Sequence, residues 1–136
     1  MVEPKLLRIS YWIGALLDVI LAIMMIVPSI FGIVSGIPSF NPGTEYQYAG
    51  IMAGIMVLGW AVLLIWADRD PVARKDVLLI TVVPVLAGLI INNFLGLASG
   101  FIPLLATAMY VGIEGFLVLL FLFSYYKTNS DIGQST

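Results

Sequence analysis

Four long apolar runs, separated by short polar or Gly/Pro-rich breaks, organise the chain. The first extends from about Ile9 to Val34 and is closed by SGIPSFNPG, a stretch whose glycines and prolines cannot stay helical. Pro28 lies inside this run; lacking an N–H, it frees the carbonyl of Met24 and predicts a bend. The run is too long for a signal-peptide core and no small-residue cleavage site follows it promptly, so an uncleaved helix is expected. Thr44 and Gln47 stand at the spacing of a capping box, in which the glutamine amide donates to the Thr44 hydroxyl and its side chain reaches back. A second helix is therefore predicted from Glu45 through AGIMAGIMVLGWAVLLIWA to Ala67, where DRDPVARKD interrupts it.

Asp70 followed by Pro71 reads as an N-cap and first helical position, predicting a third helix over 71–99 that is apolar from Val77 and bent at Pro84. Gly100 ends it, and Pro103 opens a fourth helix that runs to about Tyr126. The turn between them is short enough to predict a tight antiparallel hairpin. Each run exceeds the roughly 20 residues that a bilayer crossing requires. The predicted fold class is all-α: a polytopic membrane protein, an up-down bundle of four transmembrane helices over about 9–34, 45–67, 71–99 and 103–126. Residues 1–127 form this domain, and 128–136 are expected to be a disordered polar tail.

Charge placement orients the bundle. All six basic residues, Lys5, Arg8, Arg69, Arg74, Lys75 and Lys127, fall on the side shared by the two termini and the 68–76 loop. The positive-inside rule then predicts an N-in/C-in topology, with a multi-pass chain in the cytoplasmic (plasma) membrane and SGIPSFNPGTEYQ facing out. Tyr11, Trp12, Trp66, Tyr125 and Tyr126 mark the inner interface, and Phe40, Tyr46 and Tyr48 the outer one.

Composition strengthens the membrane assignment: 61% of the 136 residues are hydrophobic and 10% charged, against roughly 25% charged in soluble domains. A net charge of −2 drawn from few residues gives no reason to expect nucleic-acid binding. With no cysteine and no histidine, thiolate chemistry, the usual zinc sites and bis-histidine haem drop out, so neither a cofactor nor a metal site is expected.

Two stretches carry a resemblance: LRISYWIGALLDVILAIMMIVP, residues 7–28, and LGWAVLLIWADRDPVARKDVLLITVVPVLAGL, residues 58–89. Their pattern, YWIGA then Asp then M-x-x-P, and later GW then WADR-x-P-x-x-R, resembles a family of small prokaryotic four-helix integral membrane proteins with no established activity. It covers about the first two-thirds of the chain. A looser likeness to DoxX-like four-helix proteins rests on architecture alone. The resemblance implies a fold and no catalytic residues.

Chemistry is sought where polar groups enter the apolar runs. From the inner boundary, at 1.5 Å per residue, Asp18 lies roughly 13 Å deep, Trp60 roughly 10 Å and Glu114 roughly 17 Å. Two carboxylates and an indole are thus expected near one layer. A carboxylate at the bilayer centre costs about 2.5–3.5 kcal/mol even on insertion scales, so both should face inward and find a partner. With no basic residue at that depth, they are protonated, share a proton, or bind a cation from outside. The plain alternative is that each is a neutral hydrogen-bonding staple between helices.

Asn92 and Asn93, about 22 Å in, and Tyr110 at a similar height form a candidate outer cluster, and Tyr110 shares a helix face with Glu114. Their plain reading is interhelical hydrogen bonding that only fixes packing. Small residues in GIMAG, at Gly88, Gly96 and Gly100, and beside Glu114 at Gly112 and Gly115, allow close helix approach; packing within the bundle is favoured over dimerisation. The expected partners are the lipid bilayer, a small lipophilic or cationic ligand, and other membrane proteins. The candidate ligand- or proton-binding residues are Asp18, Glu114, Trp60, Asn92, Asn93 and Tyr110. Binding or proton-coupled transport of a lipophilic ligand is the leading expectation. A structural or accessory subunit of a larger complex is the second, and a membrane enzyme using two carboxylates on a lipid-like substrate is the third.

Overall fold

A computed structural model describes residues 5–133, with side chains through 130. It is 82% helical, with no strand among the described residues. Helices α1 (Lys5–Ile26) and α2 (Pro28–Val34) form the first crossing and α3 (Thr44–Ala67) the second. The third is composite: α4 (Asp76–Ile80), a π-helical turn (Thr81–Leu86) and α5 (Ala87–Ala98); α6 (Leu104–Gly133) is the fourth. Four stretches, Lys5–Ile26, Thr44–Ala67, Asp76–Ala98 and Leu104–Ser130, are long and apolar enough to span a bilayer. The chain fits a small multi-pass membrane protein.

Several expected boundaries shift, each for a local reason. Pro28 does more than bend its helix. Val27 adopts an extended backbone, φ −115° and ψ 92°, so the helix breaks and restarts with Pro28 in its first turn. The capping box does not form: Gly43 is the N-cap and the Gln47 N–H bonds the Gly43 carbonyl, while its side chain donates to the Pro42 carbonyl at 3.2 Å. Residues 71–75 are turns, so the third crossing begins at Asp76 and not at Pro71. The turn is pinned from α1, where the Tyr11 hydroxyl donates to the carbonyls of Pro71 at 3.3 Å and Arg74 at 3.0 Å. The tail expected to be disordered from 128 is helical as far as Gly133. There the Thr128 hydroxyl bonds the Ser124 carbonyl and Lys75 donates to Asn129, a tie to the third crossing that makes continued helix worthwhile. Residues 134–136 lie outside the described residues.

The GIMAG face packs within the bundle. A Cβ at Gly50 would lie 2.7 Å from the Met25 carbonyl oxygen, and one at Gly54 would lie 2.6 Å from the Ile26 side chain. Only glycine permits that approach of α3 to α1. At the other side of α1, Ser10 and Ser124 share a buried hydrogen bond of 2.6 Å with α6. The core, built on Tyr11, Leu64, Leu78, Leu117 and Phe121, sits toward the end that carries the termini and basic residues. That end is also tied by Arg8, whose Nε and Nη2 donate to the two oxygens of Asp68 at 2.8 and 3.1 Å.

At the far end, two helices stop in the same way. Gly36 (φ 70°) and Gly100 (φ 73°) take the left-handed conformation, and the following N–H bonds back five residues, Ile37 to Gly32 and Phe101 to Gly96. This is the Schellman arrangement. Between the ends, α3 packs mainly on α1 and α5 packs on α6, which leaves the seam between α3 and α5 open.

Candidate polar cavity

The open seam becomes a cavity of about 650 Å³ in the half of the bundle away from the basic end. Asn92, Asn93, Tyr110 and Glu114, four of the six candidates, line it. Successive positions on α5 differ by about 100° in direction, so Asn93 turns inward, only 8% exposed, while Asn92 stays exposed at the mouth. Tyr110 and Glu114 are one turn apart on α6 and face the same way.

Asn93 Nδ2 donates to Glu114 Oε1 at 2.8 Å. The other carboxyl oxygen, Oε2, is buried and has no hydrogen-bond partner. Tyr110 and the buried Ser35 share a hydrogen bond of 2.7 Å, tying α6 to the end of α2. Apart from Ser99, whose hydroxyl donates to the Gly96 carbonyl, the remaining side walls are apolar: Leu21, Met24 and Met25 from the first crossing, Ala53 from the second, and Leu89 and Leu95 from the third. Phe31, Tyr46 and Phe101 complete the lining at the far end. Phe40 joins these rings into one cluster, 5.1 Å from Phe31, 5.3 Å from Tyr46 and 5.9 Å from Phe101 between ring centroids. No Lys or Arg lines the cavity among the described residues.

Asp18 and Trp60 are elsewhere. Trp60 Nε1 donates across to Thr81 Oγ1 at 3.2 Å, while the Thr81 hydroxyl donates to the Val77 carbonyl at 2.8 Å. Asp18 Oδ2 is buried without a partner, yet no hydrogen bond joins it to Glu114 and it does not line the cavity. Register explains the separation. Ser10 meets Ser124, and Gly14 meets the Phe121 ring. Counting on along these antiparallel helices brings Asp18 level with Leu117, about one turn short of Glu114.

Ser35 and the rings of Phe31 and Phe101 are the lining or supporting groups that the sequence did not single out. Ser35 carries a signal in hindsight, as the last polar residue before the Gly36 stop, but nothing in a linear pattern pairs it with Tyr110.

Chemically, the cavity offers an apolar body, aromatic rings and, in its wall, the Glu114 carboxyl, whose Oε1 is held by Asn93 and whose Oε2 is buried without a partner. Such a composition suits a ligand that is mostly hydrocarbon with a single polar head. No protein-family model, curated protein or solved structure matches the chain.

Proposed function

We propose that this protein binds a small lipophilic ligand in the α3–α5 cavity and couples its passage to a proton held at Glu114, in a cytoplasmic membrane with both termini inside. The observation that carries the reading is the meeting of Asn92, Asn93, Tyr110 and Glu114 in one largely apolar cavity. A carboxyl in hydrocarbon is stable as the neutral acid when nothing compensates its charge, and as the carboxylate when a cation does. The two states give proton exchange a physical basis. In this reading Asp18, nearer the basic end, is the next carboxyl for a proton moving toward the inner surface. Kinship with the small prokaryotic four-helix family belongs to the same proposal and supplies no residue roles.

The test fills the cavity. Ala53→Phe adds a ring to its wall, and binding of a hydrophobic fluorophore to the protein in nanodiscs should weaken by about tenfold or more, the equivalent of about 1.4 kcal/mol. Equal binding by parent and variant, or none above empty nanodiscs, would end the proposal.

A second reading, docking as a subunit of a larger complex, draws on one observation. A Cβ at Gly59, Gly88, Gly112 or Gly115 would meet nothing within 4 Å, so these glycines are not explained by packing inside the bundle. Gly112→Leu should then break up a larger assembly seen on native gels of gently solubilised membranes; an unchanged band removes this reading.

A further inference from the structure

We infer that the ligand is a lipophilic amine in its ammonium form, with its head at the Glu114 carboxyl and its hydrocarbon chain along the α3–α5 seam, entering from the side of the bundle. This rests on the cavity being a ligand site and goes on to say what chemistry it selects.

The head group follows from which hydrogen bonds are already made. Asn93 occupies Oε1, so the carboxyl is turned and held, and Oε2 alone is left without a donor. A ketone or ester head can only accept a hydrogen bond from the neutral acid, and so gives the carboxyl no reason to release its proton; a carboxylate head opposes ionisation. An alcohol supplies one donor and no charge. An ammonium supplies both, and charge-assisted hydrogen bonds are about twice as strong as neutral ones.

The surroundings agree with a positive head. The lining holds no Lys or Arg among the described residues, whereas every one of the six basic side chains belongs to the opposite end by sequence. A bound cation would therefore meet no like charge within the cavity. Phe31, Tyr46 and Phe101 line the same cavity toward the far end, and aromatic rings attract ammonium groups. The remaining contacts, from Met24, Met25, Leu89 and Leu95, offer only hydrocarbon or thioether to a chain.

The route in follows from packing. Tyr46 and Ala49 on α3 and Asn92 and Leu95 on α5 line the cavity and are exposed, so its mouth is in the wall of the bundle. The rings of Phe31, Phe40, Tyr46 and Phe101 crowd the far end. An amphiphile already dissolved in the membrane reaches the seam chain and head together.

The experiment compares head groups on one chain: decylammonium, decanol and decanoate, below micellar concentration, displacing a hydrophobic fluorophore from the protein in zwitterionic nanodiscs, corrected against empty nanodiscs. Decylammonium should bind about tenfold more tightly than decanol, with decanoate weakest. In Glu114→Gln the ratio of ammonium to alcohol affinity should shrink to within about threefold. If all three compounds bind the parent alike, or decanoate binds best, the amine inference fails while the cavity remains a ligand site. The inference also fails if the ratio survives in a folded Glu114→Gln variant. If no compound binds at all, the cavity reading itself fails. The head-group series on the parent decides the matter even if the variant does not fold.

Discussion

Asp68 joins α1 to the loop after α3 through a single carboxylate. Arg8 holds both of its oxygens and Trp12 Nε1 donates to Oδ2 at 3.1 Å, so three N–H groups converge on a side chain that is 10% exposed. Hydrogen bonding from Arg8 holds the Asp68 carboxyl below its ordinary range, with Trp12 and the Arg8 charge acting in the same direction and partial burial opposing them. A depressed carboxyl stabilises the folded state above the unfolded value of about 4 and loses that contribution as pH falls through the lower folded value. Thermal unfolding should thus be unaffected by Asp68 ionisation from neutral pH to about pH 5 and weaken below it. Asp68→Asn should lower the midpoint at neutral pH and converge with the parent in acid. The exposed Arg8 keeps the difference small and salt-sensitive. A pH-independent gap between the two melting curves would contradict this.

The third crossing shows what one proline does to a helix. Pro84 lacks an N–H and its ring conflicts with the Ile80 carbonyl, and the backbone answers with a wider turn over Thr81–Leu86. An inserted π turn re-aims everything after it by about 100° per extra residue, and α5, with Asn93, comes after it. Pro84→Ala should let the turn relax and swing Asn93 away from Glu114. A double-mutant cycle between Asn93→Ala and Glu114→Ala should give about 0.6–1.7 kcal/mol of coupling in the parent and near zero in the Pro84→Ala background. The distortion was legible from the sequence, since Pro84 stands alone in an apolar run, but its form was not. The same holds for partners. Depth along each helix placed Asn93 and Glu114 about a turn apart, yet they bond, because crossing angle and register decide contacts and neither is written in one helix. Depth puts Trp60 near the carboxylates, whereas its indole finds the Thr81 hydroxyl. Helix ends are not legible in the sequence where the deciding contact is remote: Tyr11 on the 71–74 carbonyls, and Lys75 on Asn129.

The molecule as a whole is built unevenly. Core, ion pair and interhelical ties gather toward the basic end, while the opposite half holds the cavity. The four crossings and the clustering of charge were readable because hydrocarbon thickness and charge bias act on composition alone. The cavity was not, because it is the space left where α3 leans on α1 and α5 on α6. The proposed orientation can be checked on a chain with no native cysteine. A cysteine at Ser39, in the far loop, should react with a membrane-impermeant maleimide in intact cells, and one at Asp70 only after lysis; the reverse pattern inverts the topology. An opening in the flank of a bundle, and not at its ends, has a final consequence. Whatever enters or leaves must part acyl chains, so exchange should slow in more viscous or more ordered bilayers and quicken in fluid ones, making the surrounding lipid a determinant of rate without any change to a side chain.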